Sequence, residues 1–230
     1  DAFTYYEGFA ARVEQLKTDL LDHRARINGD VFYMEYLGYQ GIPQTCVGLD
    51  NQPLSPDAGG IPGLCGQYLN VGNAHVKGFE LEFTAYPVDG LTLDGGLSYI
   101  DFEYTDVGTS GVPLDAVTPY TPEWTYNFGI QYDHEMPRGT LMFRFDGSYQ
   151  SEVWNESFNT QWSRIDGYFL ANGRIGWTSG DGDWGLALEV HNIFDKYYFT
   201  SKVNDASAVG HVYGAPGKPR TWAVSITRNF

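Results

Sequence analysis

Two glutamates, Glu80 and Glu82, stand two residues apart in the stretch KGFELEFTA, so on a strand they would share one face. Paired carboxylates at that spacing are the raw material of general acid–base chemistry, but nothing around them suggests a substrate cleft. The histidines (His23, His75, His134, His191 and His211) are scattered without metal-ligand spacing. The turn sequence GDGDWG at 180–185 has the aspartates of a calcium loop but lacks its further carboxylates, and a glycine-rich hairpin turn accounts for it. There is no Gly-x-Ser-x-Gly elbow. The residues therefore point away from an enzyme, imply no cofactor and mark no metal site. The match of Asn155-Glu156-Ser157 to a glycosylation sequon is read as accidental.

The remaining residue with distinctive chemistry is cysteine. Cys46 and Cys65 lie in one Gly/Pro-rich stretch, CVGLDNQPLSPDAGGIPGLC. A disulfide across it would remove about 3 kcal/mol of unfolded-state entropy in the chain-entropy model. It would also place the protein in an oxidising compartment. A metal pair is the rival reading, weakened by the absence of a second Cys/His pair.

The elements that carry these residues have an uneven layout. Four tight turns, Leu20–Arg24, Pro87–Gly90, Asp133–Arg138 and Ser179–Asp183, alternate with four long loops at about 41–68, 106–120, 153–165 and 195–215. Nine strands are expected between them, at 3–18, 25–40, 70–86, 91–105, 121–132, 139–152, 166–178, 184–194 and 217–230. Most are longer than the five or six residues usual in soluble sheets, and long enough to cross a bilayer when tilted. Leu141, Phe143, Phe145, Gly147 and Tyr149 alternate with Thr140, Met142, Arg144, Asp146, Ser148 and Gln150, and three other strands repeat the pattern. The first strand shows no clean parity. A continuous charged face cannot be a sandwich core, but it can line a wet lumen while the other face meets lipid. Tyr132, Trp177, Trp184 and Phe230 at the tight-turn end, and Tyr33, Tyr99, Trp124, Tyr149 and Trp222 at the long-loop end, form two aromatic bands of the kind bilayer interfaces favour.

Composition agrees. No apolar run reaches the roughly 18 residues of a membrane helix, whereas alternating strands have a soluble-looking mean hydropathy. The formal charge of −15 argues against nucleic acid as a partner. The expected fold is an all-β, antiparallel transmembrane barrel, with residues 1–230 supplying part of it. Nine strands alone would leave two bare edges in lipid, and bacterial single-chain barrels have even strand numbers, so further strands are expected from elsewhere. The opening DAFTYYEGF has no signal-peptide pattern, which fits a mature start lying elsewhere or a piece of a longer chain.

Five stretches, LLDHRARINGDVFYMEY, NVGNAHVKGFELEF, YPVDGLTLDGGLSYIDFEY, WGLALEVHNIFDKYYF and PGKPRTWAVSITRNF, resemble in order and spacing the C-terminal end of TonB-dependent outer-membrane receptors, most closely those of sphingomonad-type proteobacteria. The resemblance covers nearly all the strands and leaves out the long loops. It implies a 22-stranded barrel around an N-terminal plug, coupling to the TonB complex through an N-terminal box outside these residues, and active uptake of a small-molecule ligand, usually a ferric siderophore or other metal chelate. It places the long loops outside the cell and the C-terminus in the periplasm. The final strand, with Trp222, Val224, Ile226 and Phe230 alternating outward, resembles the sorting signal of outer-membrane barrels. Arg26, Asp30, Glu80, Glu82, Asp94, Arg144, Asp146, Arg174 and Glu189 point inward on the alternation; they either pair with one another or the plug, or simply hydrate the lumen. Tyr104, Tyr120, Trp154, Trp162 and Tyr198 are candidate ligand-contacting aromatics, with loop packing as the alternative role. The loop acids, among them Asp106 and Asp115, favour a neutral or cationic ligand. A passive porin-like channel and a surface-assembly barrel without transport are the rival functions.

Overall fold

The computed structural model describes residues 8–21, 24–41, 69–108, 110–205 and 210–229. Cys46 and Cys65, most of the first long loop, and Phe230 lie outside them. Among the described residues there are strands and turns but no helix. Nine strands form one antiparallel sheet in the order β1 (Gly8–Leu20), β2 (Ala25–Gly41), β3 (Leu69–Ala85), β4 (Leu91–Asp106), β5 (Trp124–Met136), β6 (Gly139–Gln150), then β9 (Tyr168–Ser179), β10 (Trp184–His191) and β13 (Thr221–Arg228). Two small ribbons interrupt the sequence: β7 (Val153–Trp154) with β8 (Arg164–Ile165), and β11 (Phe199–Asp205) with β12 (His211–Pro216). The sheet is not closed: within the described residues β1 and β13 are its edges.

All nine expected strands occur, in the expected order. Several boundaries differ, among them the starts of β5 at Trp124 rather than 121 and of β13 at Thr221 rather than 217. The stretch Asp133–Met136 continues β5, which narrows that turn to Pro137 and Arg138, because Met136 still pairs with Gly139. The eighth strand ends at His191 rather than 194, because Asn192 adopts a positive φ of 53°. The loops at 153–165 and 195–215 are not irregular throughout, since each contains a ribbon.

Residues directly opposite in a ladder share a face, so the register sorts the side chains. One row runs Leu93, Ile130, Phe145, Gly173, Val190, Trp222, and the next runs Leu91, Tyr132, Phe143, Ile175, Leu188, Val224. Few of these side chains are buried by other parts of the chain, and Trp222, Val224 and Ile226 are 65–70% exposed. Burying each such side chain is worth about 1.5–3 kcal/mol. A sheet that leaves a whole face of them uncovered needs an apolar solvent. Twelve-residue strands such as β6 and β9 are about 40 Å long and, tilted by about 40°, span about 30 Å, the thickness of a bilayer core.

Aromatic rings mark where that face ends. Tyr99 and Trp124 lie 4.6 Å apart, Tyr126 stacks on Tyr149 at 4.9 Å, and Phe169 meets Phe194 at 6.3 Å. From β4 to β10 the series moves toward lower ladder rows, as a horizontal band must when strands tilt. One row beyond Tyr99 the same side of the sheet turns ionic, where Lys77 pairs with Asp101 at 3.0 Å. At the tight-turn end Arg228, which breaks the apolar alternation of β13, lies 4.9 Å over the Trp184 ring. A cation–π contact there lets the guanidinium stay at the wet edge. Register also settles β1, whose sequence had no clear parity: Gln15, Lys17 and Asp19 face Asp30, Asn28 and Arg26, while Leu16 and Leu20 fall on the other side.

The tight turns are locally determined. In the 179–183 turn the Asp181 carboxylate accepts bonds from the Ser179 hydroxyl and from the Asp183 amide, 3.0 Å away. These bonds hold its carboxyl below its usual range. At the opposite end Asn192 does comparable work for the β10–β13 connection. It is 5% exposed. Its Nδ2 donates to the carbonyls of Lys196 and Lys218, at 3.0 and 3.1 Å, and its Oδ1 accepts the Lys196 amide at 2.8 Å. Its own amide donates to Asn172 Oδ1 at 3.0 Å. Asparagine tolerates the left-handed conformation this corner requires. Asn192→Ala loses three side-chain bonds in a buried setting and is expected to lower folding stability by about 2–4 kcal/mol. Asn192→Gly, which relaxes the backbone but keeps none of the bonds, should recover only a small part. Urea unfolding of the barrel in lipid vesicles measures both.

Candidate functional site

Two regions bring the sequence-predicted residues together: the polar face of the sheet and the loops at one end of it. On the polar face the centre is Arg144. Its Nη1 and Nη2 donate to the two carboxylate oxygens of Asp94 at 3.0 and 3.2 Å, and its Nε donates to Asp146 Oδ1 at 2.9 Å. The fork geometry needs room. Asp94, Gly129 and Asp146 are neighbours in one ladder row, and a Cβ on Gly129 would lie 2.6 Å from Asp94 Oδ2. A glycine is therefore the residue over which the guanidinium can lie. Arg174 pairs with Glu189, and His191 Nε2 is 3.6 Å from the other oxygen of that glutamate. Arg26 Nε donates to Asp19 at 2.8 Å.

The polar-face arginines are thus all engaged by carboxylates of the same sheet. The acids exceed them. Asp30 stands directly opposite Glu80, and Asn28 opposite Glu82. With Gln15 and Lys17 they line one shallow hollow. The pairing reading of these charges therefore has a geometric basis within the sheet for Arg26, Asp94, Arg144, Asp146, Arg174 and Glu189. Asp30, Glu80 and Glu82 show no such internal cation bridge among the described residues. Glu80 and Glu82 are both exposed in this hollow. Among the described residues no three His, Cys, Asp or Glu side chains converge as a metal site would require.

At the long-loop end the polar side of β2, β3 and β4 changes character. Tyr36, Ala74 and Tyr104 occupy one row and Val76 and Phe102 the next, and the β4–β5 loop folds back over them. Val71, Ala74, Phe102, Tyr104, Val112 and Ala116 form the main buried cluster of the described chain. Tyr104 is only 2% exposed and contacts Phe102 edge-on at 4.8 Å. Tyr104, expected among the exposed loop aromatics, is instead covered by the loop that follows it. Burial raises its phenol above the ordinary range, and its hydroxyl has no hydrogen-bond partner among the described residues.

The loops are laced to one another. The Asn159 side chain accepts the Val117 amide at 2.7 Å and donates to the Val117 carbonyl at 2.9 Å. The Tyr120 amide donates to the Trp154 carbonyl at 2.9 Å, and its hydroxyl donates to Asn155. From the fourth long loop, Asn204 Nδ2 donates to Thr160 Oγ1 at 3.2 Å and Lys202 Nζ to the Arg164 carbonyl at 2.5 Å. Asn155 and Asn159 were missed by sequence reasoning as loop clamps. Their signal was asparagine recurring in a loop, where it both bonds backbone and tolerates positive φ, as Asn159 does at 50°.

The remaining aromatics divide by position. Tyr198 lies 4.4 Å from Tyr168 and covers Gly217, so it packs the base of the β11–β12 ribbon. Trp154 lines a cavity of about 340 Å³ with Ile100, Phe102, Val117, Glu123 and Glu152. This cavity opens where β4 continues past Tyr99↔Trp124, its last pair with β5. Trp162 is 54% exposed and makes none of the loop-to-loop bonds.

A barrel-wall sheet with one lipid-compatible face, one paired-charge face and a laced loop cluster at one end matches a known family. The model of the TonB-dependent receptor-like β-barrel aligns with residues 14–193, more than half of the chain. The chain belongs to this family. It is 28% identical over 167 residues to the ferric-pyoverdine M114 receptor PbuA of a Pseudomonas strain, which covers 70% of this chain and 19% of that protein. It is 25% identical over 177 residues to the metal-pseudopaline receptor CntO of Pseudomonas aeruginosa, covering 74% of this chain and 23% of the relative. The chain thus spans about a fifth of the length of these relatives. The crystal structure of the ferric yersiniabactin uptake receptor FyuA from Yersinia pestis superimposes with a TM-score of 0.74 at 17% identity, over 96% of this chain and 30% of that one. This sheet is therefore wall of an outer-membrane receptor barrel, and its family is one of transport receptors rather than enzymes.

Within that wall the Arg144 fork ties β4 to β6 across β5. Arg144→Ala would leave Asp94 and Asp146 flanking Gly129 with no cation between them. It is expected to cost about 1–2 kcal/mol, reduced from a buried pair by partial exposure. Arg144→Lys should recover less than half, since an ammonium cannot reproduce the fork. Unfolding midpoints in lipid vesicles discriminate the two.

Proposed function

We propose that these residues form the C-terminal part of a TonB-dependent receptor that takes up a ferric siderophore or a closely related metal chelate. The observation that carries the reading is the family match over a sheet whose two faces suit lipid and a wet lumen respectively. The named relatives bind ferric pyoverdine and metal–pseudopaline, which supports a chelate as the ligand class. In this reading the tight turns face the periplasm and the laced loops face outward. The polar face lines a lumen, and the remaining strands and plug come from other parts of the receptor. Coupling to TonB runs through that plug.

The polar face suits such a role because its arginines are held by carboxylates of the sheet itself. A plug in contact with it meets an acidic, hydrated wall along Asp30, Glu80 and Glu82 rather than a row of free cations. Ligand contact falls to the loops. Trp162 offers an exposed ring, and Trp154 lines a cavity beside carboxylates, an arrangement that favours a neutral or cationic chelate over a polyanionic one. Tyr120 and Tyr198 support these surfaces by joining loops. The exposed β13 face, with Trp222, Val224 and Ile226, serves as the terminal sorting strand.

The experiment is uptake of iron-55 carried by siderophores from the spent medium of the native host, in cells that carry or lack the full-length receptor. Uptake should require both the receptor and TonB. Uptake that persists without TonB, with open-channel conductance in planar bilayers, would replace this reading with a passive channel. Trp162→Ala should weaken binding of the active ferric siderophore about tenfold, the size of one lost aromatic contact. Total receptor in the membrane should not change.

A further inference from the structure

The apolar face carries a hollow of about 530 Å³. Its floor is Gly173, which stands in the ladder between Phe145 and Val190, with Trp222 one strand further on. Phe143 and Ile175 complete the walls. One missing side chain in a row of large ones makes the groove, and the groove lies between the two aromatic bands.

Its long-loop end is basic. Arg220 lines the hollow, and its Nη1 donates to the Ile193 carbonyl at 3.3 Å. The Asn192 side chain holds the backbones of Lys196 and Lys218 together through their carbonyls. Lys196, Lys218 and Arg220 therefore branch from one corner of the backbone, and all three are exposed. The nearby carboxylate is that of Asp195, which accepts the Arg220 amide at 2.9 Å. In a chain of net charge −15, three cations against one acid is a local reversal of sign. It occurs where an apolar groove meets the interface, beside Trp222.

We infer that this groove is a binding site for an anionic membrane phospholipid, with an acyl chain over Gly173 and the anionic headgroup on Lys196, Lys218 and Arg220. A groove alone would accept any acyl chain, and a cation cluster alone any anion. Their contiguity selects an anionic amphiphile. The inference rests on the placement of this face in the membrane and is independent of the transported ligand.

The test uses the full-length receptor, purified in detergent, delipidated and titrated with phosphatidylglycerol or phosphatidylcholine of matched chains under native mass spectrometry. Phosphatidylglycerol should bind in preference. Replacing Lys196, Lys218 and Arg220 with alanine should weaken it by about fivefold for each cation removed, while leaving phosphatidylcholine unchanged. Gly173→Leu fills the groove and should reduce binding of both lipids. Its new Cβ would lie 3.3 Å from the flexible Ile193 Cδ1. If that variant does not give heat-modifiable, folded barrel, Gly173→Ala provides the same readout at smaller amplitude. Equal affinity for the two lipids, or indifference to the cation variants, would overturn the anionic-headgroup assignment. Lipid binding unchanged by the glycine substitution would overturn the groove. A receptor dimer that dissociates when the glycine is filled would assign the hollow to a second copy instead. Siderophore uptake by the same variants should stay at the wild-type level. A wild-type receptor that prefers phosphatidylglycerol but takes up no siderophore would count against the transport reading alone.

Discussion

The constraint on which everything else depends is that a backbone placed in lipid has no water to satisfy it. Each amide and carbonyl must find a partner within the sheet, and an antiparallel ladder of long strands is how this chain meets that demand. Once the ladders exist, side chains must alternate, and the two solvents on either side choose which parity is apolar. The rows from Leu93 to Trp222 and from Asp94 to Asn172 follow directly. Chemistry on the polar side is then limited to what neighbouring strands can offer each other, and the result is ion pairing across ladders, as between Arg144 and Asp94.

That dependence explains how much was legible in the sequence. Strand number and order were readable because period-two alternation is a local signal, clear in β3, β5, β6 and β10, and recognisable turns bound the rest. The Asp133–Arg138 turn was read too wide because Asp133, His134 and Glu135 look like turn residues. They are strand residues at the wet edge, where charge is tolerated. The parity of β1 could not be read because Glu14 and Thr18 share the face of Leu16 and Leu20, and only pairing with β2 decides the matter.

The loops were less legible for a different reason. Their order comes from contacts between segments far apart in sequence, such as Val117 with Asn159 and Asn204 with Thr160. No periodicity announces such contacts. Tyr104 illustrates the point: its composition and place near a loop suggested exposure, but the following loop doubles back and covers it. Aromatic residues near a strand end are ambiguous until the path of the next segment is known.

The β4–β5 ladder ends at the level of Tyr99, and the register slips between Tyr36 and Tyr39 of β2 and between Asn73 and Ala74 of β3 lie beyond it, toward the loops. Below that level the strands are in continuous step; above it β2, β3 and β4 run on as a separate flange bearing its own buried cluster. The two parts are joined by few ladder bonds across the β4–β5 seam. Such a seam behaves mechanically as an expansion joint. The flange and its loops can rearrange against one another while the wall beneath keeps its circumference, so a change of shape at the mouth need not strain the part that seals the membrane.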